Sequence, residues 1–265
     1  MPCKKCGGTG WIIVTQENGY EVAKPCDCGY LEQLKNEKQH KFSNIPETYK
    51  DVRLGTHFYT SPYKDKETIT KAVDIVKYWR DNLEQMIRDG IGLYIYSEAK
   101  GSGKTLLAAG IANELLYEHN LPVKFASATQ IIQEIKATWD KDNASTESRL
   151  INQLCTIRIL VIDDLGTERY VDWIAERMYH IVNERYVRKL ATIYTSNSAC
   201  DKLIYDDRIK NRILERSVMV RFPEESIREQ IAIQRQAEIE KAIQQKNIER
   251  EESTNGKRRG KERQN

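Results

Sequence analysis

Ser97-Glu98-Ala99-Lys100-Gly101-Ser102-Gly103-Lys104-Thr105 follows a short apolar run, Ile91 to Tyr96, and opens a helix-forming stretch from Leu106 to Tyr117. Strand, glycine-bearing loop and helix in that order are the setting of a phosphate-binding loop. The glycines let the backbone close around a polyphosphate. Successive amide N–H groups and the helix N-terminus then offer partial positive charge. Lys104 adds a full charge, and the Thr105 hydroxyl suits Mg²⁺. The expected nucleotide-binding residues are therefore Lys100, Gly101, Ser102, Gly103, Lys104 and Thr105. One position departs from the pattern: where its first glycine belongs, five residues before Gly103, the chain has Glu98, an acidic side chain near phosphates.

Working outward, the run Ile157 to Ile162 ends in Asp163-Asp164. A continuous apolar run suits a strand buried on both faces of a parallel sheet, and ligands bind at the carboxyl ends of such strands. Asp163 is placed to hold Mg²⁺ through its water shell, and Asp164 to orient or activate an attacking water. Paired carboxylates ending a buried strand are costly unless a metal or hydrogen-bond donors meet them. Further strands are expected at Pro122–Ala126, Ala191–Thr195 and Val218–Phe222, giving five in all. Helices are expected at Ala128–Trp139, Trp173–Lys189 and Glu224–Arg250. The polar segment Asp140–Ser148 reads as an exposed loop. Asn197, just past the fourth strand, reads either as a turn residue or as a group touching the γ-phosphate or the water. Arg208, Arg212 and Arg216 recur every four residues, either as a solvated basic stripe or as the source of an arginine for a neighbouring subunit's ATP.

Upstream, Ile69, Val73, Val76, Trp79 or Arg80, Leu83 and Ile87 recur at helical spacing and predict one amphipathic helix stopped by Asp89-Gly90. Ahead of it, Ser43-Asn44-Ile45-Pro46 breaks a charged helical stretch and marks a domain boundary. At the amino terminus, Cys3-x-x-Cys6-Gly7-Gly8 and Cys26-x-Cys28-Gly29 flank a candidate hairpin with Asn18-Gly19 at its turn. Four thiolates so placed complete a tetrahedral Zn²⁺ site in a zinc-ribbon-like module, and the metal would supply folding free energy that so small a core lacks. The competing readings are free thiols on a flexible arm, or a redox pair. Cys155 and Cys200 read as ordinary buried residues.

The chain has 265 residues and 40% hydrophobic content, enough for one large domain or two unequal ones. No uncharged apolar run approaches the roughly 18 residues of a membrane span, and a cytoplasmic location with no membrane partner is expected. Forty-two basic against 39 acidic residues give +3, too weak an imbalance for nucleic-acid binding by the whole surface. Local candidates for single-stranded DNA are scattered: Trp139 with Lys136 and Lys141, and Arg185 with Arg188 and Lys189.

With these pieces in order the chain resembles the DnaC-like replicative helicase loaders, ATPases of the AAA+ superfamily. The carriers are the cysteine module, Ile45-Pro46 to Tyr49, Gly103-Lys104-Thr105, Leu160 to Gly166, Thr195-Ser196-Asn197, Arg208-Ile209-x-x-Arg212, and Ser217 to Arg228. The resemblance implies an α/β AAA+ P-loop fold, a five-stranded parallel sheet flanked by helices, behind a zinc-binding module. It implies ATP, Mg²⁺ and Zn²⁺ as cofactors, with Asn197 as sensor one, Arg212 as arginine finger and Arg228 as sensor two. The implied partners are a hexameric replicative helicase gripped by the amino-terminal module, single-stranded DNA, and further copies of the ATPase domain. Residues 1–45, 46–245 and 246–265 are then the helicase-interaction module, the ATPase domain and a disordered charged tail. An IstB-like transposition ATPase shares the same core, and a non-hydrolysing adaptor with a loop spoiled by Glu98 is a third reading.

Overall fold

In a computed structural model, residues 3–55, 63–139, 144–168 and 171–262 are described. The chain begins with a hairpin, β1 (Trp11–Thr15) and β2 (Glu21–Pro25), paired antiparallel from Trp11 opposite Pro25 to Thr15 opposite Glu21. Its turn relies on Gly19 at φ 83°, a left-handed conformation that costs glycine little. Helix α1 (Tyr30–Ser43) follows and stops at Asn44, which is also left-handed. Ile45 is buried, and a single 3-10 turn, Glu47–Tyr49, leads onward.

The amphipathic stretch expected as one helix is two, α2 (Lys66–Asp81) and α3 (Leu83–Asp89), broken at Asn82. The physical reason is local: the Asn82 side chain and backbone N–H both donate to Tyr78 O, which caps α2. Gly90 then turns the chain at φ 71°, where a Cβ would lie 2.5 Å from the Lys189 backbone.

The core runs β3 (Gly92–Tyr96), α4 (Lys104–Tyr117), β4 (Val123–Ser127), α5 (Ala128–Trp139), α6 (Ala144–Thr156), β5 (Ile159–Leu165), α7 (Asp172–Val187), β6 (Thr192–Ser196), α8 (Asp207–Glu215), β7 (Ser217–Arg221) and α9 (Ile227–Glu262). The strand order is β4-β5-β6-β3-β7, all parallel. Successive residues of the central strands point to opposite packed faces. Leu93, Ile95, Val161 and Ile193 meet α2 and α4 around Trp79 and Ile111. Tyr94, Leu160, Ile162 and Tyr194 meet α5, α7 and α8 around Ile131, Met178 and Ile209. This two-sided burial is why the strands read as continuous apolar runs.

Three expectations change. The loop expected at Asp140–Ser148 is helical from Ala144 onward, because Leu150, Ile151, Leu154 and Cys155 give α6 an apolar stripe; Asp140–Asn143, and Lys141 with them, lie outside the described residues. Arg185 belongs to no exposed basic face. It is 1% exposed and donates to Leu154 O, Ile157 O, Ala191 O and Thr192 Oγ1 at 2.7–2.9 Å, joining α6 to the approach of β6. The last helix runs past Arg250 to Glu262 in backbone trace, through a stretch without proline. Cys155 and Cys200 are buried, as expected. Among the described residues no helix is long and apolar enough to cross a membrane.

Candidate functional site

Strand β3 delivers the loop at the edge where the sheet order reverses, and α4 begins at Lys104 with Gly103 as its N-cap. Gly101 and Gly103 have φ of 77° and 96°. Added Cβ atoms would meet Ser226 Oγ at 2.8 Å and Tyr63 Oη at 2.6 Å, so both glycines are required by conformation and by space. The Lys104 Nζ lies inside the loop, donating to Ala99 O, Ser97 O and Ser102 Oγ at 2.9, 3.0 and 3.1 Å. Burial pulls its pKa down, opposed by the charges of Asp164, Glu224 and Asp163.

At the end of β5 the two aspartates part company. Asp163 is 7% exposed, and its Oδ1 accepts from Thr105 Oγ1 at 2.9 Å and Thr195 Oγ1 at 2.6 Å. Burial lifts its pKa, with a further push from Asp164, while the two hydroxyls hold it down. A carboxylate and a hydroxyl in contact at the first turn of α4 are an oxygen donor set suited to Mg²⁺. Asp164 takes a left-handed φ of 55° where β5 slips out of register with β6, and its N–H donates to Thr195 Oγ1 at 2.9 Å. A non-glycine residue held at positive φ at a bulge is backbone strain aimed at a site.

The loop and Asp164 converge on one cleft of about 330 Å³, lined by Lys100 to Leu106, Asp164, Asn197, Arg228, Tyr49, Ile227 and Ile231, with Asp163 behind Thr105 and not in the lining. Arg228 reaches it because Ile227 N–H donates to Gly101 O at 3.0 Å, which seats the start of α9 on the phosphate loop. Glu98 turns away. Its carboxylate pairs with Lys202 at 2.7 Å on the surface, and Lys202 draws its pKa down. Glu98 is also absent from the residues with positive φ, so its backbone does not need the glycine of the usual pattern.

Arg212 is not in this cleft. Its Nε donates to Asn183 Oδ1 at 2.9 Å, and its guanidinium lies 5.1 and 5.6 Å from the ring centres of Tyr179 and Tyr186. Arg216 donates to Asp89 O at 2.9 Å and Arg208, on the open surface, to Asp206, so each of the three arginines has its own partner.

The four amino-terminal cysteines come together as free thiols with all Sγ atoms within 4.8 Å of one another. Cys3–Cys26 and Cys6–Cys28 are 3.9 and 3.7 Å apart, against about 3.8 Å for sulfurs bonded tetrahedrally to Zn²⁺ at about 2.3 Å. The donor set fits zinc, and the Cys26-x-Cys28 half closes it as well as the Cys3-x-x-Cys6 half. Left-handed Gly7, Gly8 and Gly29 make the turns. Burial resists ionisation of Cys6, but the N–H groups of Gly10 and Gly8 and the thiols of Cys28 and Cys26 outweigh it, bringing Cys6 down to about 7.

A family model described as IstB-like ATP binding protein matches residues 93–235, more than half of the chain. The chain belongs to the IstB-like ATP-binding proteins. Within that family it is an AAA+ protein of DnaC type. It is 28% identical over 219 residues to the phage-like element PBSX protein XkdC of Bacillus subtilis, covering 80% of this chain and 78% of that one. To the replicative helicase loader DnaC of Escherichia coli K12 it is 29% identical over 144 residues, 53% of this chain and 58% of DnaC. The match therefore spans little more than half the length of that relative. The crystal structure of the DnaC helicase loader superposes with a TM-score of 0.57 at 20% identity, over 67% of this chain and 100% of that one, and shows the shared fold. The matched IstB-like region contains every residue lining the cleft except Tyr49 and ends after Arg228; the cysteine cluster lies outside it.

The sequence reading of this IstB-like chain missed four groups. Thr195 carries hydrogen bonds to both Asp163 and Asp164; its place beside Asn197 at a strand end was the available signal. Glu224 accepts from Ala99 N–H and Ser97 Oγ at 2.9 and 3.0 Å. Tyr63 donates to Ser102 O inside the loop. Tyr49 lines the cleft from a segment 54 positions before Gly103, pinned by Asn113, which donates to Tyr49 O and Val52 O. Nothing local marks Tyr63, and Tyr49 and Glu224 lie in stretches that carried the family resemblance without a role of their own.

Proposed function

We propose that the protein is an ATP-dependent loader that places a hexameric replicative helicase on single-stranded DNA in the cytoplasm. The observation that carries this is the presence in one chain of a complete phosphate cleft and a separate four-cysteine centre. Relatives named as replicative helicase loaders support it.

The loop amides from Lys100 to Thr105 cradle the polyphosphate and Lys104 neutralises it. Thr105 and Asp163 would hold Mg²⁺, which screens the phosphate charges when bound. Asp164 orients the attacking water and takes up its proton, and Asn197 fixes that water from the next strand. Arg228 approaches the phosphates from its own chain. Arg212, which stands outside its own cleft, acts on the ATP of a neighbouring copy, so ATPase domains assemble side by side. Zinc on Cys3, Cys6, Cys26 and Cys28 would hold the hairpin that meets the helicase.

For the DNA, Trp139 of α5 and Trp173 of α7 come together with ring centres 4.7 Å apart and Lys136 Nζ 5.5 Å from the Trp173 ring. Half-exposed indoles beside a cation are a stacking platform for bases. The transposition reading shares this cleft, but the cysteine centre lies beyond what it explains. The adaptor reading is weakened because Glu98 faces Lys202. The test is steady-state ATP hydrolysis with and without single-stranded DNA and helicase. Turnover stimulated by DNA, and lost in Lys104→Ala, is expected; no turnover under any condition, with helicase binding intact, leaves the adaptor.

A further inference from the structure

Tyr179, Asn183 and Tyr186 fall at i, i+4 and i+7 and so share one face of α7. Arg208 and Arg212 approach from α8, with Arg216 at its end. Together they form an alternating stack. The Arg208 guanidinium lies 4.8 Å from the Tyr179 ring centre, Arg212 5.1 Å from Tyr179 and 5.6 Å from Tyr186, and Arg216 5.1 Å from Tyr186. Within it Arg212 is held at three points. Its Nε donates to Asn183 Oδ1 at 2.9 Å, one terminal nitrogen to Arg208 O at 3.0 Å and the other to the Tyr179 hydroxyl at 3.3 Å. Tyr186 is itself fixed by donating to Glu215 Oε2 at 2.8 Å.

A guanidinium carries five N–H groups. Three are engaged here, which leaves one N–H on each terminal nitrogen to donate to a phosphate. Two rings and an amide acceptor also restrict a long side chain that otherwise loses much rotamer freedom on binding. We infer that Tyr179 and Asn183 are positioning residues that hold Arg212 in a preset orientation, ready for the phosphates of a neighbouring subunit's nucleotide before subunits assemble. The proposal rests on the reading of Arg212 as a residue acting across a subunit boundary. Because the cradle belongs to a surface outside the cleft, its loss leaves ATP binding alone and lowers turnover only in the assembled state.

The experiment uses the full chain at a concentration where ATP turnover depends on assembly. It compares wild type, Asn183→Ala, Tyr179→Phe and Tyr179→Leu, each also made on an Arg212→Ala background, with melting curves for all. Asn183→Ala and Tyr179→Leu are expected to lower kcat about tenfold with KM for ATP unchanged, and Tyr179→Phe, which keeps the ring, to lower it less. On the Arg212→Ala background none of them lowers it further. Full kcat in Asn183→Ala and Tyr179→Leu while Arg212→Ala is impaired overturns the cradle and leaves the Arg212 assignment standing. The same fractional loss on both backgrounds means a general structural role and also overturns it. Full activity in Arg212→Ala overturns the underlying reading itself.

Discussion

The cysteine module and the nucleotide domain are held by different forces. In the nucleotide domain Trp79, Leu93, Ile95, Ile111, Val161 and Phe222 are essentially inaccessible to water, and the sheet is covered on both sides. In the hairpin Trp11, Ile13 and Tyr20 are 50, 72 and 73% exposed, and the buried apolar groups are the thiols of Cys6 and Cys26. A two-stranded hairpin with so little covered is not stable in water by itself. One region therefore takes its stability from burial, and the other, on the proposal that its four cysteines hold zinc, takes it from a metal. Chemistry follows the same division: the buried region holds the phosphate cleft, and the cysteine module carries exposed apolar side chains.

The largest effect that sharpens this contrast comes from zinc removal. Structural zinc contributes about 10–16 kcal/mol in small zinc modules, so a chelator, or Cys26→Ser, should unfold the first 29 residues while the main melting transition and ATP binding persist. Hydrogen exchange resolved along the chain reads this out, and simultaneous loss of protection in β3 to β7 breaks the comparison. A smaller effect tests the other region. Burial raises the Asp163 pKa above its ordinary value, so the folded protein binds that proton more tightly than the unfolded chain. The associated stability is present below about pH 4, the ordinary aspartate range, and is lost as pH rises through the higher folded value. Asp163→Asn removes that loss while keeping an oxygen for Thr105 and Thr195. The variant should melt a few degrees higher at neutral pH, with the difference shrinking toward pH 4, and should lose Mg²⁺-dependent turnover. A lower melting temperature at neutral pH contradicts the electrostatic account of the cleft.

The fold was legible where its causes are local. Glycines at Gly101 and Gly103, a lysine opening α4, and two carboxylates closing an apolar strand are each set by a few neighbouring residues, and they located the cleft. The cysteine spacing likewise located its centre. What escaped depends on distant segments meeting. Glu98 looked like a fault in the loop until Lys202, 104 positions away, took its charge. Arg185 looked like an exposed cation until three carbonyls and a hydroxyl enclosed it. Asn82 broke a helix whose apolar spacing ran straight through it, because periodicity registers faces and not side-chain caps. Tyr49 and Glu224 lay in stretches that carried the family resemblance but showed no role there, because Tyr49 reaches the cleft and Glu224 reaches Ala99 N–H and Ser97 Oγ only once the connector and the segment before α9 fold over the loop.

The central claim is that two separately stabilised regions do separate jobs, the cysteine module gripping a helicase and the cleft using ATP. The most direct measurement is helicase capture and ATP binding by the full chain in wild type, Lys104→Ala and Cys26→Ser. The account predicts that Lys104→Ala loses ATP and keeps the helicase, while Cys26→Ser keeps ATP and loses the helicase. Loss of both activities in either variant contradicts it.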